Sequence, residues 1–473
     1  MSTPRGCFSW LLRRNQISVP KPTPTCQATC PAVGPEQPKR QYITACNHSL
    51  TPDPTSWWLD TDIPPPVYSL AELPGPNIDP IDAKVDEIDS QLRQLSLQIH
   101  DNPELGFAEV LAHDLLTSFM TSHGFTVTKG YLGLSTAFRA EYTHGRGGRV
   151  VGVNSEYDAL KGIGHACGHN LIAASGCGVA IAIKAALEAH DIPGKVVLLG
   201  TPAEEGGGGK VILLEKGGYA DMDLCLMCHP APGPPKSAAV STSTALQHFA
   251  VEYSGQNAHA GAAPWYSGEG RNALDAAFLA YSSISVLRQQ MRPDHRVHGI
   301  VEGNEEWLPN VIPDYAKMQW IARAPNASDL AAFVERVKNC LRAAALATSC
   351  EMKLTESRAY LDLHQNSVLG AEFADAMRRY KFEILPVNAA ASSASTDFGN
   401  VTYALPALHP GFAIPTEPGQ GNHTRGFARA AATQPAHDAM LLVTKGLART
   451  GFRALRDDAF FKQVKAAFDN PSS

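Results

Sequence analysis

The apolar run Val150-Val151-Gly152-Val153 is followed by Gly164-His165-Ala166-Cys167-Gly168-His169-Asn170, and then by small and apolar residues over 171–189. This reads as a buried strand leading into a helix. Open α/β sheets are built from that unit and place their chemistry at the carboxyl ends of the strands. Gly164 and Gly168 permit a tight turn, in which Cys167 and His169 can present a thiolate and an imidazole to one metal ion. A single Cys-x-His pair carries little weight. Three further polar interruptions close apolar runs downstream and give it more: Pro202-Ala203-Glu204-Glu205, Cys228-His229-Pro230 and Gly421-Asn422-His423-Thr424.

Strands are expected at 125–128, 137–142, 149–154, 195–200, 224–228 and 408–414, and helices at 85–99, 108–123, 171–189, 211–216, 369–380 and 434–448, with one more short helix past Arg456. Strands alternating with helices imply an α/β catalytic domain with a mostly parallel sheet and helices on both faces. Between these segments the pattern changes. Residues 246–253 alternate with period two, and the order that follows to 356 is β-α-β-β-α-β, the ferredoxin-like arrangement. The expected division is an irregular proline-rich extension over 1–80, a first catalytic part over 81–245, an inserted domain over 246–357 and a second catalytic part over 358–473.

The extension holds about fifteen of the prolines, and Trp57 and Trp58 are suited to pinning its far end. Its first thirty-five residues carry Arg5, Arg13, Arg14 and Lys21 and no acid, a composition found in mitochondrial transit peptides, though the prolines oppose the amphipathic helix these need. A cytoplasmic location is expected, with a mitochondrial one as the alternative. A net charge of −6 and a pI near 6.3 argue against nucleic acid or an anionic membrane as the main partner. No apolar run comes close to the ~20 residues that cross a bilayer. Ten cysteines in 473 residues do not make a disulfide scaffold. Cys167, Cys177, Cys225, Cys228 and Cys340 read as free thiols, and Cys225-x-x-Cys228 ends a strand where a redox pair opens a helix.

Five candidate ligands emerge: Cys167, His169, Glu205, His229 and His423. Five protein ligands exceed what one catalytic zinc uses, so two metal ions fit the set better, bridged by a thiolate or a water. Cys167 is the candidate bridging thiolate. In the pair Glu204-Glu205 one carboxylate can ligate while the other takes a proton from water and passes it to a leaving amine. Glu205 is assigned as ligand and Glu204 as base. The plainer alternative is a solvated acidic turn, although the glycines at 206–209 suit close backbone approach. His229 and His423 taken singly would pass for turn histidines. His165, His409 and His437 stay outside the ligand set, and a Cys167–His169 thiol-hydrolase dyad is poor because a catalytic imidazole normally comes from a distant segment.

These residues resemble the M20 metallopeptidases, in particular the amidohydrolase/aminoacylase branch and its dipeptidase-like subgroup. The likeness is carried, in order, by His100-x-x-Pro103-Glu104-Leu105-Gly106-Phe107, Glu156-Tyr157-Asp158-Ala159-Leu160, His165 through Ala173, Pro202 through Glu205, His229, Ser395-Thr396-Asp397-Phe398 and Asn422-His423-Thr424. It runs from about residue 85 to 450. Asn170 stands where many of the branch carry Asp, and no proline follows His423.

The resemblance implies a di-metal site on the five ligands, with zinc first and manganese second, and Glu204 as general base. It also implies that the inserted domain works as a lid and a homodimer contact. There His259 would reach over the site, often from a partner subunit, as oxyanion donor, and Asn310 and Arg323 would bind substrate. An Arg fork suits a free carboxylate. The function expected is hydrolysis of amide bonds in small N-acyl amino acids or dipeptides. The alternatives are an amide-processing tailoring enzyme of a biosynthetic pathway and a catalytically silent binding protein on the same fold.

Overall fold

The computed structural model describes residues 79–262, 270–304, 307–385 and 394–470. The expected proline-rich extension, with Trp57 and Trp58, lies outside the described residues except for its last two positions.

A six-stranded sheet forms the centre, in the spatial order Thr126–Lys129, Phe138–His144, Gly194–Gly200, Arg149–Ser155, Leu224–Leu226 and Ala407–Leu408. The last four strands are mutually parallel, and Phe138–His144 pairs antiparallel with both its neighbours, so the sheet is mixed, with three of its five pairings parallel. The cause is chain length. Only residues 145–148 join Phe138–His144 to Arg149–Ser155, and a parallel return needs a crossover of roughly a dozen residues or more. Gly148 makes that turn possible: its φ is +81°, and a Cβ there would lie 2.0 Å from the Pro193 carbonyl oxygen.

Helix His169–His190 packs on one face of the sheet together with Pro80–Glu87, Asp89–Asp101 and Gln434–Arg456. The helix expected over 85–99 is in fact two, broken at Ile88. Helix His169–His190 is long and apolar enough to cross a membrane by length and composition, contrary to the expectation that no such run exists. It is the core helix, however, and is almost wholly buried. Its small residues allow close packing: a Cβ on Gly176 would meet Ser155 Oγ at 2.2 Å. The other sheet face is covered by Gly209–Glu215 and Phe398–Ala404, around Leu199, Leu213, Phe398 and Val401.

The strands expected at 224–228 and 408–414 each divide in two. Leu224–Leu226 is followed by His229–Pro232, and Ala407–Leu408 by Gly411–Ile414. The second members pair with each other in a separate sheet with Ser237–Ala239 and Glu383–Ile384. Pro230, Pro232 and Pro410 lack the N–H that a continuous ladder needs. His229 therefore opens the second sheet, at the fork.

Residues 245–356 form a four-stranded antiparallel sheet in the order Glu351–Glu356, Ala245–Ser254, Tyr315–Ala324, Arg296–Glu302. Helices Ala273–Leu287 and Ala327–Thr348 cover one face. Period-two alternation sends Ala316, Met318, Trp320 and Ala322 against them, in a hydrophobic cluster separate from the main core.

Candidate metal centre

The loops leaving the parallel strands converge at their carboxyl ends. Glu156-Tyr157-Asp158 follows Arg149–Ser155, Pro202 through Glu205 follows Gly194–Gly200, and His229 follows Leu224–Leu226. Cys167 and His169 enter through Gly168, whose φ is +81° and whose absent Cβ leaves room for the Pro230 ring, 2.5 Å from where it would stand. Two non-glycine residues here adopt left-handed backbone, Ala203 (φ 57°) and His423 (φ 66°). Such a conformation costs roughly 1–2 kcal/mol and needs outside support. The Ala203 N–H donates to buried Glu109 at 2.8 Å, and the His423 N–H to the Ala166 carbonyl at 2.8 Å. The Tyr360 hydroxyl donates to the Glu204 carbonyl at 2.8 Å. The backbone on both sides of the Glu204 side chain is thus held.

The His169 ring is oriented from behind. Its Nδ1 lies 2.8 Å from the Asp158 carbonyl oxygen and 3.1 Å from Asp158 Oδ1, which makes Nδ1 the protonated nitrogen and turns the Nε2 lone pair into the site. That Nε2 is buried with no hydrogen-bond partner among the described residues. It faces Glu156 at 3.6 Å, Glu204 at 3.9 Å and Glu205 at 4.0 Å. Cys167 Sγ is 3.3 Å from His229 Nε2, and His423 Nε2 is 3.4 Å from Glu205 Oε1. Cys167, His169 and His229 form one group with donor atoms within 4.8 Å of one another. Cys167, Glu205 and His423 form a second, and His169, Glu204 and Glu205 a third. The five expected ligands and the expected base are therefore gathered in one place, with Cys167 common to two groups.

Electrostatics separates the two neighbouring carboxyls. Burial, with the carboxylates of Glu156, Glu205 and Asp397, pushes Glu204 well above the ordinary range. Burial acts on Glu205 in the same direction, but the contact with His423 and the charge of His169 outweigh it and leave Glu205 low. Burial also pushes the Cys167 thiol up, so this thiol needs a nearby cation to become a thiolate.

Of the remaining expected residues, Arg323 is near enough for its charge to act on His423. Its guanidinium donates to Ser395 Oγ at 3.0 Å. His423 is drawn up by Glu205, against burial and the charges of His169 and Arg323. His259 and Asn310 stand together in the domain of residues 245–356, where His259 also bridges to Val311. The Ala260 N–H donates to the Asn310 carbonyl at 2.9 Å, and both side chains are exposed. Among the described residues no hydrogen bond or ion pair joins either of them to the cluster. Of the histidines set aside, His409 stacks on His229 with ring centroids 5.9 Å apart, outside the donor groups.

Sequence reasoning gave no role to Asp158, Glu156, Asp397 or Lys210. The Lys210 ammonium is wholly buried, 2.5 Å from Glu156 Oε1 and 2.6 Å from Asp397 Oδ1. Glu156, Asp158 and Asp397 stood in the segments that carry the family likeness, and the signal for Lys210 was a lysine placed directly after a run of glycines.

The model of Peptidase family M20/M25/M40 matches residues 152–431. The Xaa-Arg dipeptidase of Mus musculus is 40% identical over 398 residues, spanning 81% of this chain and 90% of its own length. One of the subunits of the p-aminobenzoyl-glutamate hydrolase of Escherichia coli (strain K12) is 27% identical over 461 residues, spanning 81% and 93%. A Bacillus subtilis protein described as a dinuclear metal binding peptidase from the M20 family shares the fold, with a TM-score of 0.59 and 19% identity over 78% of this chain and 99% of its own. An aminobenzoyl-glutamate utilization protein from Klebsiella pneumoniae does so with a TM-score of 0.63 and 18% identity, over 80% and 99%. The converging strand ends and the matched region, which contains every residue of the donor groups, agree: this chain belongs to peptidase family M20/M25/M40 and is a hydrolase of peptide or amide bonds.

Proposed function

We propose that the chain is a metal-dependent dipeptidase or N-acyl-amino-acid amidohydrolase that works with two divalent ions, zinc in the first place and manganese in the second. The observation that carries this reading is the pair of donor groups sharing Cys167 beside a carboxyl, Glu204, that belongs to neither. The residues fit such ions. His169 Nε2 and Glu205 Oε1 are buried without hydrogen-bond partners among the described residues, and a thiolate with imidazoles and a carboxylate is a donor set that suits zinc. Cys167, His169 and His229 would hold one ion and Cys167, Glu205 and His423 the other. When bound, the ions supply water activation and carbonyl polarisation, and their charge draws Glu204 back towards its ionised form.

Glu204 then takes a proton from the attacking water and returns it to the leaving nitrogen. Arg323 binds the free carboxylate of the substrate's amino-acid end. That end is common to a dipeptide and an N-acyl amino acid, and both relatives named above act on such compounds by their names. Residues 246–357 act as a ferredoxin-like lid, inserted between catalytic parts 81–245 and 358–473. In a homodimer through this domain, His259 of one protomer would serve the other's site as oxyanion donor, with Asn310 binding substrate beside it. Support for this comes from the two loops being paired and both side chains being exposed, with no hydrogen bond or ion pair to their own cluster among the described residues.

The test is elemental analysis of the purified full-length chain, followed by turnover of zinc- and manganese-loaded protein on a panel of dipeptides and N-acyl amino acids. About two ions per chain and metal-dependent release of free amino acid are expected. Protein that holds no metal after reconstitution, or a fully loaded protein that cleaves none of the panel, defeats the reading.

A further inference from the structure

Beside the donor groups lies a fourth cluster, which shares Glu204 with the hydrolytic reading and adds two carboxylates, Glu156 and Asp397, that the reading does not use. Oxygen atoms of Glu156, Glu204 and Asp397 lie within 4.8 Å of one another, and all three residues are buried. Three carboxylates at that spacing form a hard oxygen site for a divalent ion. In this chain the site already contains a positive charge, because Lys210 Nζ stands 2.5 Å from Glu156 and 2.6 Å from Asp397 with no exposed surface. The Lys210 backbone N–H also donates to Asp397 Oδ2 at 2.9 Å, so Asp397 stays attached to this segment whatever the side chain at 210. Glu156 Oε2 accepts no hydrogen bond among the described residues and faces His169 Nε2 at 3.6 Å. It is a spare donor turned towards the centre.

We propose that Lys210 is a built-in cation that fills a three-carboxylate pocket otherwise competent to take an additional divalent ion, and so keeps Glu204 available as base instead of as ligand. The part of this that concerns the base rests on the function proposed above. Lys210 is a positioning residue: it touches Glu156 and Asp397 and acts on Glu204 through them. A tethered ammonium suits the task because it satisfies buried carboxylates without coordinating a substrate carbonyl or a water oxygen, as a metal ion would.

The experiment compares full-length wild type, Lys210→Ala and Lys210→Ala/Asp397→Asn after equilibrium dialysis against Mn2+, with bound manganese counted per chain and kinetics measured on the same samples. Lys210→Ala should hold about one Mn2+ more than wild type and lose roughly 10²-fold in kcat with KM nearly unchanged, as general-base loss does. Ethylammonium, a detached ammonium one carbon shorter than the missing group, should displace the extra Mn2+ and recover part of kcat. The double variant should lack the extra ion. A merely structural lysine would lower metal content and folding together and would not respond to ethylammonium. Folded Lys210→Ala with wild-type Mn2+ content overturns the inference. If Lys210→Ala is unfolded in chelator, Mn2+ or ethylammonium should restore a cooperative unfolding transition, and failure of both overturns it as well. The comparison is a difference between variants. A wild type without bound Mn2+ or turnover would defeat the proposed function alone.

Discussion

Replacing Glu204 by Gln should separate stability from activity, with opposite signs. The amide keeps the shape, and the Tyr360 hydroxyl still holds the backbone carbonyl at position 204, so the side chain stays in place. What disappears is a proton acceptor and one charge of a crowded acidic cluster. Burial and the carboxylates of Glu156, Glu205 and Asp397 raise the Glu204 pKa above its ordinary value of 4.5 in the folded, metal-free chain. A carboxyl that is harder to ionise when folded destabilises the folded state as pH rises from the ordinary pKa towards the folded one. Each pH unit in that window costs about 1.4 kcal/mol. The Gln variant escapes this cost. Metal-free Glu204→Gln should therefore match wild type at pH values below the ordinary carboxylate range and become progressively more stable than it as pH rises through that range.

With metal restored, the same variant should keep its ions and lose roughly 10²–10⁴-fold in kcat, equivalent to about 3–5 kcal/mol of barrier. Denaturant titration of chelated protein across pH, elemental analysis and steady-state hydrolysis read the three quantities. Turnover within tenfold of wild type would move the base elsewhere. Loss of a metal ion would make Glu204 a ligand. A stability difference that shrank as pH rose would refute the electrostatic argument itself.

Three other changes test neighbouring parts of the site. Cys167→Ser should weaken both ions at once, because Cys167 belongs to two donor groups, and zinc titration should show the two affinities falling together. Gly168→Ala forces a side chain into left-handed backbone and against the Pro230 ring, so loss of at least roughly 1–2 kcal/mol of stability and weaker metal binding are expected by thermal denaturation and metal analysis. His259→Ala should leave metal content and stability unchanged and lower kcat by roughly 10²–10³-fold. Mixed with Glu204→Gln it should regain activity if the histidine serves a partner's site, and verified mixed dimers without recovery would show that it does not.

Some of the site was legible because it follows local rules. Cys167, His169, Glu205, His229 and His423, which the fold gathers in one place, were recognisable as candidates because each is a ligating type placed where an apolar run stops. Glu204 and Glu205 were open to different roles because adjacent side chains rarely serve one ion, and their surroundings do shift them in opposite directions. The inserted sheet was legible because Ala316, Met318, Trp320 and Ala322 alternate with polar residues, and burial on one face requires that period. Asp158 escaped notice as the group behind His169 because its role depends on which way a ring points. Lys210 escaped because a lysine is ordinarily solvated, and only the fully packed interior reveals one held by two buried carboxylates.

The inventory was readable from the chain: which side chains can bind a metal or move a proton, where helices stop, and which strand faces are apolar. Backbone period and residue chemistry are local properties, and a few residues suffice to express them. Tertiary structure alone decided adjacency. The 145–148 turn is too short for a crossover and makes the sheet mixed. Prolines at 230, 232 and 410 divide two strands between two sheets and set His229 at the fork. His423 comes within 3.4 Å of Glu205 across more than two hundred residues of chain. Distances of that kind are set by how helices and sheets pack around a common core, and no local pattern encodes them.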